Sequence, residues 1–178
     1  MSELRSIAEA LRSETLAELP DARIEEDFAE LHRSMEQLEV ERLRRLAEID
    51  RRGLFARDGH LSAAAWLVNW FKVGWGFARK QVRVARSLDE MPLTRRALES
   101  GDISLSAARV LVQVREADSE AFSRSEETLV EAGRIHGIAD LGRVVAYWRN
   151  RVEAERCSKA RTPSGRAGGC TRRFRFRA

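Results

Sequence analysis

Hydrophobic residues recur every three or four positions along most of this chain, which is the spacing of helices that have one nonpolar face. The pattern is clearest over residues 22–52, where it predicts one long helix. Five hydrophobic residues of this segment form a stripe, which continues to Leu46 and Ile49: Ile24, Phe28, Leu31, Met35 and Leu38. Pro20 separates this helix from an acidic amphipathic helix predicted over residues 3–19.

The stripe has alternating spacings of four and three residues, so it has two interpretations. Packing against the chain's own domain is the favoured one. The alternative is the seam of a coiled coil, because a/d positions of a heptad have the same spacing. In that case the stripe would mediate a protein interaction, including formation of a homo-oligomer.

Further helices follow after Gly53 and Gly59 interrupt the pattern. Two of them lie on either side of the turn "VGWG", and Ser62 is the expected N-cap of the first. A two-turn helix is framed by Pro92 and Gly101. Three more are expected to start behind Ser104 or Ser106, behind Ser119 and behind Asp140. No segment alternates with the period of a strand, so we predict an all-α domain of about eight helices that ends near Arg156.

The composition fits one domain with a hydrophobic core, since 43% of the 178 residues are nonpolar. No nonpolar run approaches the length of a membrane span, and the N-terminus is acidic where a secretion signal would be basic and then nonpolar. These features predict a cytoplasmic protein without a membrane partner. Cys157 and Cys170 both lie in or beside the C-terminal segment, so no disulfide framework is expected.

Charge is distributed unevenly along the chain. Residues 1–50 contain 7 basic and 14 acidic residues, whereas residues 51–115 contain 12 basic and 5 acidic residues. From Arg156 to the C-terminus there are 8 basic and no acidic residues. The net charge of +4 therefore arises from the tail, and the middle segment is the only basic part of the predicted domain.

Three segments resemble a known family: "LRRLAEIDRRGLFARDGHLSAAAWL", "ARKQVRVARSLDEMPLTRRALESGDISLSAARVL" and "LGRVVAYWRNRVEAE". They span residues 40–156 and are similar to the bacterial family called domain of unknown function 222, or 13E12 repeat. The resemblance implies a helical accessory domain that precedes an HNH endonuclease domain. We therefore divide the chain into an acidic helix (1–21), the family-like domain (22–156) and a disordered basic tail (157–178).

An HNH nuclease needs histidines and an asparagine in a ββα unit that holds a divalent metal ion. This chain has three histidines, His32, His60 and His136, each isolated in its own predicted helix or turn. We accordingly predict no catalytic residue, no metal site, no cofactor and no small-molecule ligand. The expectation is a non-enzymatic accessory domain.

The tail "SKARTPSGRAGGCTRRFRFRA" has two interpretations. Its composition is typical of a GC-rich gene read out of frame, which would make the chain a truncated copy that lacks the nuclease domain. Alternatively, the tail is a basic arm that binds DNA phosphates and stacks Phe174 and Phe176 on bases. The DNA-binding candidates are then Arg172, Arg173, Arg175 and Arg177.

A second candidate DNA site lies in residues 62–88, which have the outline of a helix-turn-helix. Arg79, Arg83 and Arg86 share one face of the second helix, and Lys80 lies beside it. The favoured alternative is a solvated basic face opposite a core of Phe77, Val84, Ala85 and Leu88.

Aromatic residues are expected in the core, because each buries a large nonpolar area. They cluster between the two helices of that segment and recur in the last helix: Trp66, Trp70, Phe71, Trp75, Phe77, Tyr147 and Trp148. Two acidic pairs, Glu25 with Glu26 and Glu126 with Glu127, are interpreted as parts of solvated helix faces.

Overall fold

The computed structural model describes residues 2–160, and in this part of the chain it contains eight α-helices and no strand. Two short 3₁₀ helices are also present, Leu16–Glu18 and Leu54–Asp58. The helices are α1 (Ser2–Ser13), α2 (Asp21–Arg51), α3 (Ala63–Phe71), α4 (Trp75–Asp89), α5 (Pro92–Glu99), α6 (Leu105–Ala117), α7 (Ser119–Ile135) and α8 (Ile138–Ala160). The all-α prediction is confirmed, while most of the predicted tail lies outside the described residues.

Helix boundaries follow the local chemistry of the sequence. The Ser62 hydroxyl accepts a hydrogen bond from the backbone N–H of Ala65 at 3.2 Å, and Ser104 accepts one from Ala107 at 3.1 Å. Both are N-caps that satisfy a backbone donor without a partner inside the helix. After α5 the chain turns at Gly101, whose φ of +78° favours glycine. The predicted cap at Ser62 is confirmed, and of the two candidates for α6 the cap is Ser104.

Several predicted boundaries were wrong. The N-cap of α7 is Asp118, which accepts from the N–H of Ala121 at 3.0 Å, and Ser119 is already helical. Helix α8 begins at Ile138, so Asp140 lies in its first turn, and it continues past Arg156. Helix α1 ends at Ser13, short of the predicted residue 19. Serine, aspartate and short polar runs fit both caps and first turns, so their order alone does not define the boundary.

The core is centred on α6, which packs against α4, α5, α7 and α8. Six of its thirteen residues are buried: Leu105, Ala107, Ala108, Leu111, Val112 and Val114. Phe122 of α7 and Leu141 of α8 close the core on one side. On the other side, the C-terminal half of α2 contributes Leu43, Leu46 and Ala47 and packs against α4.

The N-terminal half of α2 does not join this core. The first residue of α2 that forms a hydrogen bond or ion pair with a distant helix is Glu36, whose Oε1 accepts from the N–H of Leu105 at 3.2 Å. We call residues 2–35, which comprise α1, its connection and the start of α2, the N-terminal arm. Because an α-helix rises 1.5 Å per residue, residues 21–35 extend about 20 Å from the point at which α2 meets the domain.

Candidate interaction surfaces

The apolar stripe of α2 is exposed. Its five residues, Ile24, Phe28, Leu31, Met35 and Leu38, have 38% to 70% of their surface accessible, and Phe28 is the most exposed. The prediction that the stripe packs against its own domain was therefore wrong. Only the C-terminal half of α2 contributes buried residues to the core. The hydrophobic spacing is similar in both halves, so it did not indicate which half is buried. Leu4, Ile7 and Leu11 of α1 are exposed as well.

The arm is acidic, with nine acidic and four basic residues between positions 2 and 35. Asp27 pairs with Arg23 at 3.0 Å and Glu30 with Arg33 at 3.5 Å, both within the helix and exposed. Within residues 2–160, Glu25 has no ion-pair partner and neither does Glu26. Surface pairs between neighbouring turns contribute little, so the arm presents negative charge along its apolar stripe.

In the C-terminal half of α2, Glu39, Glu41 and Glu48 bind arginines of the same helix, and Asp50 binds Arg86 of α4. Hydrogen bonds from Arg44 and Arg45 lower the pKa of the Glu41 carboxyl to about 2. Arg51 and Arg52 lower the pKa of Glu48 to about 2 in the same way. The contrast concentrates the uncompensated negative charge of α2 near its N-terminus.

A second exposed nonpolar surface lies where α3 meets α4. Trp70, Phe71, Trp75 and Phe77 are each 48% to 59% accessible, and we call them the aromatic surface. Trp70 and Phe71 contact the half-buried ring of Trp66, with centroids 6.0 and 5.5 Å apart. Leu61, just before α3, is 96% accessible.

The prediction of an aromatic core was wrong for these four residues and for the exposed Tyr147, although Trp66 and Trp148 pack partly against the core. For α4, Val84, Ala85 and Leu88 are buried as predicted, whereas Phe77 is exposed. Large rings have the same helical spacing whether they face the core or a partner. An exposed cluster of this kind is typical of an interaction site.

Four basic residues form the exposed face of α4, as their spacing predicted: Arg79, Lys80, Arg83 and Arg86. Arg86 donates two hydrogen bonds to Asp50 of α2, at 2.5 and 2.8 Å, and this contact raises its pKa. Arg83 pairs with Glu116 of α6 at 3.1 Å. In the described part of the chain, neither Arg79 nor Lys80 has an acidic partner. On this basic face, Arg83 and Arg86 are thus in ion pairs, whereas Arg79 and Lys80 can bind an anionic partner.

The basic face adjoins the aromatic surface. Trp75 lies four residues before Arg79, and Phe77 lies three residues before Lys80, so each aromatic side chain is next to a cation on the helix surface. There is no acidic residue between positions 59 and 88. Arg79 and Lys80 thus give the α4 part of the aromatic surface a positive border.

Glu126 is buried, so the prediction that it belongs to a solvated helix face was wrong. It is 6% accessible, and its Oε1 accepts hydrogen bonds from the backbone N–H and the hydroxyl of Thr94, at 2.8 and 2.9 Å. Thr94 lies in the first turn of α5, so a carboxyl group of α7, distant in sequence, caps the N-terminus of another helix. The run of charged residues around Glu126 does not indicate this contact, because its partner is 32 residues away in sequence.

No catalytic or metal-binding cluster was predicted, and residues 2–160 contain no group of three or more potential metal ligands. His32 stacks on Phe28 on the exposed arm, and His136 is exposed at the end of α7. A crevice between α2, α4 and α5, lined by Leu43, Ala85 and Leu98 among others, has room only for a water-sized molecule.

Within the described residues, no helix has both the length and the nonpolar character needed to cross a membrane.

No protein-family model, curated protein or solved structure matches this chain. The resemblance to domain of unknown function 222 therefore stays a prediction.

Proposed function

We propose that this chain is a non-catalytic interaction module that associates with a second copy of itself through its N-terminal arm. The observation that carries the proposal is the exposure of five hydrophobic residues in heptad spacing on a helix that projects from the domain. The resemblance to helical regions that precede HNH domains is consistent with an accessory role.

Exposure of the stripe gives association a driving force. Complete burial of one large hydrophobic side chain contributes about 1.5–3 kcal/mol, and these five are about half exposed. Association also costs translational and rotational freedom and the ordering of side chains. Several stripe residues must therefore be buried together before a stable complex results.

Replacing Phe28 and Met35 with glutamate is expected to weaken self-association at least a hundredfold. Each substitution places a charge in the centre of the stripe, where loss of a buried anchor typically costs 1.4 kcal/mol, or tenfold, or more. Sedimentation velocity of the full chain over a range of concentrations measures the effect.

Leu93→Glu is the matched control, because Leu93 is also a half-exposed hydrophobic residue but lies on α5. It should associate like the wild type. A wild-type chain that stays monomeric at every concentration would refute the proposed function.

We propose DNA binding as a second function, favoured by the two basic residues of α4 that have no acidic partner. Arg79 and Lys80 are available to phosphates, whereas Arg83 and Arg86 would first have to leave Glu116 and Asp50. The other candidates, Arg172, Arg173, Arg175 and Arg177, lie outside the described residues.

If the basic face contacts phosphates, the substitutions R79A and K80A in the full chain should weaken binding to duplex DNA for all sequences alike. Each lost phosphate contact should also reduce the slope of log K against log salt by about 1. A fluorescence titration at several salt concentrations measures both effects. A variant in which the four tail arginines become alanine is the comparison. If that change alone abolishes binding and R79A/K80A has no effect, the α4 face is not a DNA site.

A further inference from the structure

We infer that the N-terminal arm of one chain docks on the aromatic surface and basic face of a second copy. This inference rests on the proposed self-association and identifies the surface that receives the arm. The stripe of one chain thus contacts a different surface on the second copy. The contact joins α1 and the start of α2 of one chain to α3 and α4 of the other.

Charge disfavours the simplest alternative, in which two arms pair as a coiled coil. In the heptad defined by the stripe, Phe28 and Met35 occupy a positions and Leu31 occupies a d position. The six flanking e and g positions contain four acidic residues and no lysine or arginine: Glu25, Asp27, His32, Ser34, Glu39 and Glu41. Glu39 and Glu41 already bind arginines of their own helix. Because no e or g position supplies a cation, two paired arms would lack the interhelical salt bridges that usually support a coiled coil.

The α3–α4 region supplies what the arm lacks. It has five basic and no acidic residues between positions 59 and 88, against the net negative charge of the arm. It also exposes large aromatic rings, which can cover the stripe. Arg79 and Lys80 have no acidic partner in the described part of their own chain, and Glu25 and Glu26 have no basic one. The two surfaces are thus complementary in both polarity and charge.

The occupant is a second copy, because the arm of the same chain does not cover this surface. Both surfaces are exposed at once in the structure. Helix α2 is continuous from Asp21 to Arg51, with no glycine or proline, and its C-terminal half is anchored in the core. The first half of α2 cannot bend back without breaking that helix. Two chains that exchange arms would satisfy both pairs of surfaces and close at a dimer.

A complementation experiment tests the contact with full chains. One variant carries F28E and M35E and has a defective arm, and the other carries W70S and W75S and has a defective aromatic surface. Each variant alone should remain monomeric at concentrations at which the wild type dimerises. An equimolar mixture should form a heterodimer, because each partner retains one intact surface. With one contact in place of two, we expect the mixture to associate at least tenfold more weakly than the wild type.

Charge reversal provides an independent test that leaves the aromatic residues in place. R79E/K80E and E25K/E26K should each weaken self-association at least tenfold, and a mixture of the two should recover much of it. All four residues are exposed and lack ion pairs in residues 2–160, so the fold should tolerate these changes. Circular dichroism and thermal unfolding of each variant check this.

The outcomes distinguish two proposals: self-association through the arm, and docking of the arm on the aromatic surface. If F28E/M35E is monomeric while W70S/W75S dimerises like the wild type, the arm mediates association but binds elsewhere, and only the docking surface is overturned. If the wild type is monomeric and its tryptophan fluorescence responds to single-stranded oligonucleotides through Trp70 and Trp75, the aromatic surface binds nucleic acid, and both proposals fail.

Discussion

Replacing Phe122 with alanine is expected to lower the free energy of unfolding by about 3–5 kcal/mol, a large part of the stability of a domain of this size. Phe122 is 1% accessible and lies in α7 among core residues of the neighbouring helices. Its removal loses the transfer free energy of the ring and leaves a cavity between α6 and α7. Urea denaturation followed by circular dichroism at low protein concentration measures the change.

Phe28→Ala is the matched control, because it makes the same chemical change at a residue that is 70% accessible. We expect the stability of the monomer to change by no more than about 0.5 kcal/mol. Similar losses for both variants would show that Phe28 is buried in the folded chain and that the arm does not project from the domain. The pair of substitutions therefore tests where the core ends along the chain.

Replacing Glu126 with alanine is expected to lower the free energy of unfolding by about 2–4 kcal/mol. The change leaves the backbone N–H and the hydroxyl of Thr94 without their acceptor, and Thr94 is fully buried. Each unsatisfied buried polar group costs about 1–3 kcal/mol. Because the contact joins α7 to the first turn of α5, amides of α5 should also exchange with solvent faster.

Glu127→Ala is the control, since the neighbouring carboxyl group is exposed. Its effect should stay within about 0.5 kcal/mol. Glu126→Gln retains an acceptor oxygen in the same place and should lose less stability than the alanine variant. If Glu126→Ala and Glu127→Ala were equally mild, the carboxyl of Glu126 would have no role in holding α5.

Local structure was predictable wherever it depended on residues close in sequence. Ser62, before "AAAWL", and Ser104, before "LSAARVL", cap α3 and α6, because a hydroxyl at that position reaches a backbone donor three residues later. Pro92 begins α5 and Gly101 follows its end for equally local reasons. The exposed face of α4 followed directly from the helical spacing of its basic residues.

Burial was less predictable, because it depends on what packs against a helix. The stripe around Phe28 and the buried residues around Leu43 have the same kind of spacing on the same helix, but only the second meets the core. The aromatic residues beside the α3–α4 turn were predicted to lie in the core but are exposed, for the same reason. Glu126 was predicted to be exposed but is buried, because its partner Thr94 lies on another helix.

The sequence by itself determined that the domain is built from helices, where several of these helices start, and which surfaces are acidic or basic. Such properties arise from backbone geometry, capping and composition within a few residues. Only the tertiary structure decided that the core ends within α2, that the arm and the aromatic surface are both exposed, and that Arg83 and Arg86 have acidic partners. Each of these depends on helices that are distant in sequence and meet only in the packed domain, where burial is set by all neighbouring elements together.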